Sequence, residues 1–122
     1  MRTRALIVAL SLGLGLALGL TWLLGPGLRA AQAASYTVTK MSDENDGSCT
    51  DGDCSLRDAL ILANASVLPD TIELGLGTYV LSIAGSGEDA SATGDLDIDG
   101  GVTIVGRGAG LTRITQNAVG DD

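Results

Sequence analysis

The spacing of apolar positions changes character twice along this chain. Residues 5–24 form a nearly continuous apolar and glycine run, preceded by Arg2 and Arg4 and followed by Ala31-Gln32-Ala33. A basic start, an apolar centre and an A-x-A site together predict a secretory signal peptide over residues 1–33. A run of this length is also enough to span a bilayer, so an uncleaved anchor is the alternative. Gly13, Gly15 and Gly19 weaken the stretch as a stable helix, and no Cys near the cleavage site suggests a lipoprotein.

Helical spacing appears next. Leu56, Ala59, Leu60 and Ala63 fall on one apolar stripe, which Ile61 and Leu62 widen. Ser55 is a good N-cap, and Asp58 stands three residues on, as in a shortened capping box. The helix is predicted to end near residues 64–66, before Pro69. The stripe reads as a lid over an apolar core; a partner-binding helix is the alternative. Asn64-Ala65-Ser66 matches a glycosylation sequon, but its place on a helix argues against that use.

Beyond Pro69 the period shortens. Residues 71–74, 78–83, 95–98, 102–105 and 113–115 read as short strands, with Gly, Asp or Asn in most gaps. Alternation is clearest in Leu96-Asp97-Ile98 and Val102-Thr103-Ile104. Gly106-Arg107-Gly108-Ala109-Gly110 lacks both the G-x-G-x-x-G spacing and a P-loop Lys, so it reads as a tight turn.

The segment Cys54-Ser55-Leu56-Arg57-Asp58-Ala59 resembles the "CSLREA" signature of large secreted bacterial proteins, with Asp58 where that family usually has Glu. The stretch from Asp70 through Gly77, Tyr79 and Leu81, and the later Thr93-Gly94-Asp95-Leu96-Asp97-Ile98, resemble the first coils of the same family. The resemblance implies an all-β fold: the start of a right-handed parallel β-helix, capped by the N-terminal helix. It divides the chain into a signal peptide (1–33), an N-terminal strand, disulfide loop and capping helix (34–69), and first coils (70–122). Solenoids need about three stacked repeats. Only some two and a half can be counted here, which predicts an incomplete solenoid whose open end invites self-association.

Charge and composition narrow the functional classes. The chain carries seven basic and fifteen acidic residues. Arg2, Arg4 and Arg29 would leave with the signal, so the remainder holds four basic groups against fifteen acids, a formal charge of −11. Such a surface repels nucleic acid and anionic lipid, so neither nucleic acid nor, after signal cleavage, a membrane is an expected partner. With no His anywhere, a Ser-His-Asp or Cys-His nucleophile cannot be built within the chain, nor can a Cys/His zinc site. Only Tyr36 and Tyr79 remain as aromatics after residue 33, too few for sugar or base stacking. Cys49 and Cys54 enclose Thr50-Asp51-Gly52-Asp53, a turn composition, and in an exported chain they are expected to pair. A redox pair is the alternative, without C-x-x-C spacing in its favour.

The acidic clusters are the remaining candidates. Asp95, Asp97 and Asp99, followed by Gly100, match the opening of a calcium loop, although position twelve is Gly106 instead of Glu. On a strand the three carboxylates would share one face, holding calcium or simply solvated. Asp43, Glu44, Asp46, Asp51 and Asp53 form a second acidic stretch with the same two readings. No cofactor other than calcium is implied. Two functions are carried forward. One is a non-catalytic extracellular or cell-surface protein, structural or adhesin-like, with a polysaccharide or cell-surface partner. The other, by likeness to pectate-lyase-like folds, is a polysaccharide lyase or other carbohydrate-active β-helix enzyme whose site would lie largely in further coils, with Asp95, Asp97 and Asp99 and, as proton acceptor, Arg107 or Arg113 the nearest constellation here.

Overall fold

The helix starts where its cap can be satisfied. In the computed structural model, which describes residues 31–50 and 52–117, α1 spans Leu56–Asn64 with Ser55 as N-cap. The Ser55 hydroxyl accepts from the Asp58 amide at 3.1 Å, meeting one of the donors that a helix start leaves unpaired. At the other end Ala65 donates to Ile61 O and closes the last turn. The apolar stripe Leu56, Ala59, Leu60 and Ala63 is buried, as its spacing predicts, while Ile61 and Leu62 are only half-buried.

Five strands accompany the helix: β1 (Ser35–Thr37), β2 (Asp70–Glu73), β3 (Gly77–Leu81), β4 (Val102–Val105) and β5 (Thr112–Gln116). All pairings are parallel. One sheet has the order β1-β2-β4, with Ser35 opposite Thr71 and Asp70 opposite Val102. The other pairs β3 with β5, Gly77 opposite Thr112. Parallel neighbours cannot be joined by a tight turn, so each pair needs a long crossover. The β1–β2 crossover carries the disulfide loop and α1. The core lies between helix and sheets: Val38, Leu56, Ala59, Leu60, Ala63, Ile72, Leu74 and Tyr79 pack together. Tyr79 also turns its hydroxyl to the Gly75 amide at 2.7 Å, which satisfies its polar end inside that core.

The expectation of an all-β, right-handed parallel β-helix, complete or incomplete, is corrected by this architecture. The described residues form a small mixed α/β domain of two short parallel sheets and one helix, with no solenoid. Two features account for the difference. The helix is a full layer of the core and supplies four of its apolar residues, so burial does not depend on stacked repeats. The expected strand at 95–98 also does not form. Its backbone groups are taken by side chains: Asp97 donates to Ser91 Oγ at 2.8 Å, and Asp97 O accepts from Asn64 Nδ2 at 2.7 Å and Ser91 Oγ at 3.0 Å. Asp and Gly are also poor strand residues. The other four strands match expectation to within one or two residues at each end.

The signal peptide expected over 1–33 lies outside the described residues except for Ala31, Gln32 and Ala33. Among the described residues no helix is long and apolar enough to cross a membrane.

Candidate functional site

The motif that opens α1 is a junction in which nearly every side chain is committed. Cys54, Ser55, Leu56, Arg57, Asp58 and Ala59 are all buried. Cys54 is bonded to Cys49, as the sequence predicts, and no described cysteine is free. The loop closed by this bond is short, so its removal is expected to cost only about 2 kcal/mol. Replacing both Cys49 and Cys54 with Ser should therefore lower the denaturant midpoint modestly and leave the fold intact. Loss of folding in a urea titration would show a larger role.

Asp58 behaves differently from the Glu of a capping box. Its Oδ2 accepts from the Ser55 hydroxyl at 2.6 Å, and its Oδ1 accepts the amides of Asp46 and Gly47 at 3.0 and 2.9 Å. The carboxylate thus bonds the cap's side chain and the loop ahead of the disulfide, where a capping-box Glu would take the cap's backbone amide. Ser55 Oγ also lies 2.8 Å from Glu44 O, so its single hydrogen is shared between that carbonyl and the Asp58 carboxylate. Cap and loop are consequently one hydrogen-bonded unit.

Arg57 is the centre of the junction. Its side chain and that of Asp43 are both fully inaccessible. Nε donates to Asp43 Oδ1 at 2.8 Å and Nη2 to Oδ2 at 2.9 Å, the paired geometry that suits guanidinium and carboxylate. The remaining donors reach the carbonyls of Ser91 at 2.7 Å, Gly94 at 2.7 Å and Asp95 at 3.3 Å. Asp43 also accepts the Ser82 and Ile83 amides at 2.8 and 2.9 Å. Burial pushes the Asp43 carboxyl up. The hydrogen bonds from Arg57, Ile83 and Ser82, with the guanidinium charge, outweigh that and hold it below its ordinary value. Neither Arg57 nor Asp43 stands out in the sequence as more than a helix residue and a loop acid.

The two acidic clusters have different fates. Asp95, Asp97 and Asp99 share no strand face, since no strand forms there. Their backbone is held by Arg57, Ser91 and Asn64, whose Oδ1 accepts the Asp99 amide at 3.1 Å. Among the described residues, the carboxylates that come within a cation's reach of one another are instead Glu44, Asp46 and Asp53. Lys40 already sits against two of these: its Nζ bonds Glu44 and lies 2.9 Å from Asp53 Oδ1. Among the described residues no hydrogen bond or ion pair joins Arg107 or Arg113 to Asp95, Asp97 or Asp99. Both arginines are exposed, Arg113 on β5 and Arg107 in the turn before it. That turn is the tight one expected, with Gly108 and Gly110 at positive φ. Beside it, Leu74, Ile104, Thr112 and Ile114 line an open groove of about 360 Å³.

No family model, curated protein or solved structure matches the chain.

Proposed function

We propose that this chain is an exported, non-catalytic extracellular or cell-surface module, structural or adhesin-like in role. The commitment of the Cys54–Ala59 motif to internal bonds carries this reading. Its disulfide, cap, carboxylate and guanidinium all serve to fasten the helix to surrounding loops, and none is left presented to a substrate. The resemblance of that motif to the CSLREA segment of secreted bacterial proteins, and the signal-like order of residues 1–33, support export. A disulfide is compatible with an oxidising compartment. The strongly acidic surface favours solubility there and a polysaccharide or cell-surface protein partner over nucleic acid.

Expression of the whole chain in an exporting bacterial host tests the reading. The protein should appear in the medium or on the cell surface with a mass about 2 Da below that of its reduced form, reflecting the closed disulfide. A chain kept in the cytoplasm with two titratable thiols overturns it.

A further inference from the structure

Ala34 is the first described residue that is partly buried, and it docks against a buried acid. Its amide donates to Asp70 Oδ1 at 2.7 Å, and its carbonyl accepts from the Thr71 amide at 2.9 Å. Asp70 is 1 % exposed, its Oδ2 is buried and has no hydrogen-bond partner, and among the described residues no Lys or Arg pairs with it. An amide brings a single hydrogen and no charge. A carboxylate buried on those terms is left with an unmatched negative charge and one oxygen unpaired, which is expensive.

The residues just upstream suggest how the mismatch is resolved. Ala31, Gln32 and Ala33 form the A-x-A site, are exposed and belong to no helix or strand. Cutting after Ala33 would place a new chain terminus on the very nitrogen that already touches Asp70.

We propose that processing cuts the Ala33–Ala34 peptide bond and that the freed α-ammonium of Ala34 forms a buried ion pair with Asp70, so that maturation completes the fold. The step is a hydrolysis by a peptidase that recognises small-x-small sites. Water supplies the hydroxyl that leaves on the Ala33 carboxylate and the proton that stays on the Ala34 nitrogen. A second proton from solvent makes that amine an ammonium below a pKa of about 8. Its three hydrogens can serve Oδ1 and the empty Oδ2 together, and its charge matches the carboxylate. The titratable groups nearby on β1 and β2 are Asp70, Tyr36 and Glu73, which accepts from Ser35 Oγ at 3.2 Å. Burial and the negative charge of Asp70 raise the Tyr36 hydroxyl, as expected where that charge lacks a counter-ion. The proposal rests on the export reading given above.

The test uses the whole precursor expressed in an exporting host. Intact mass and N-terminal sequencing of the exported protein should place the start at Ala34. A Ser-Gly insertion between Ala33 and Ala34 then moves the ammonium away and leaves an amide against Asp70. This insertion should lower the melting temperature by about 5 °C or more, the scale expected of a lost buried interaction in a domain this size. In the Asp70→Asn background the same insertion should have no effect. An exported protein starting elsewhere, or an insertion effect equal in both backgrounds, overturns the proposal while leaving the export reading in place. An uncleaved cytoplasmic chain overturns both. If Asp70→Asn does not fold, pH-dependent labelling of the α-amine decides the matter. A pKa raised above about 8 supports the ion pair, and an ordinary value removes it.

Discussion

Arg57→Ala is expected to cost about 3–5 kcal/mol and to leave most of the protein unfolded at moderate temperature. The reason is what the substitution strands. Asp43 would keep a buried charge without its counter-ion, and the carbonyls of Ser91, Gly94 and Asp95 would lose their donors. Those carbonyls lie in the loop before β4, while Asp43 also gathers the amides of Ser82 and Ile83 after β3. One side chain therefore joins the helix to segments on both sides of it. Arg57→Lys should fall between wild type and Ala, since a lysine keeps the charge but lacks the planar fork that meets both Asp43 oxygens. Urea titration followed by circular dichroism measures the series. An Arg57→Ala midpoint within error of wild type would show that the junction is dispensable.

The same pair sets an acid limit. The Asp43 carboxyl is held below its ordinary value in the folded state, so the unfolded chain takes up a proton first as pH falls. Its contribution is fully present above the unfolded carboxylate value of about 3.9 and is lost as pH drops through the lower folded value. Stability measured from neutral pH downward should therefore decline below about pH 4. Asp43→Asn should be less stable throughout but should show a shallower decline.

How much of this could be read from the residues alone follows from the range of the interactions. The helix was legible because its information is local: a Ser at the cap and apolar residues three and four apart suffice. The strands at 102–105 and 113–115 were legible for the same reason, through β-branched alternation. Residues 95–98 show where that logic fails. Leu96-Asp97-Ile98 alternates as well as Val102-Thr103-Ile104 does, yet Ser91 and Asn64 bind its backbone before a neighbouring strand can. One competitor, Ser91, is six residues away, but the other is a side chain on a helix thirty-odd residues away in sequence, which no local pattern reveals. Arg57 was missed for a related reason. Its partner lies fourteen residues upstream, among several acids of equal appeal. The one available clue was scarcity: a chain with four basic groups past residue 33 places one in the first turn of its apolar helix. The all-β expectation failed at the level of layers. It treated the helix as a lid on a core made elsewhere, whereas Leu56, Ala59, Leu60 and Ala63 are a large part of that core.

That last point makes Leu60→Asp the second substitution of large effect. Leu60 is completely buried, and its helix packs against β2 and β4. Truncation to Ala would remove apolar contacts and leave a cavity, a loss of about 2–5 kcal/mol. Asp adds to this a carboxyl group set among Val38, Ile72 and Leu74, with no positive charge in the cluster to meet it. The chain then has to bury an unpaired charge, keep the acid protonated, or release the helix. Release is the accessible route, because the disulfide and the Ser55–Asp58 cap hold the helix start, and the bonds of Asn64 at its end reach only the irregular segment around Asp97 and Asp99. Leu60→Asp should thus give a protein without a cooperative melting transition, whose Cys49–Cys54 bond still forms. Leu60→Met, which conserves volume, should melt within a few degrees of wild type. A cooperative transition near the wild-type temperature in Leu60→Asp would mean that the helix is a dispensable cover and that the sheets hold their own core.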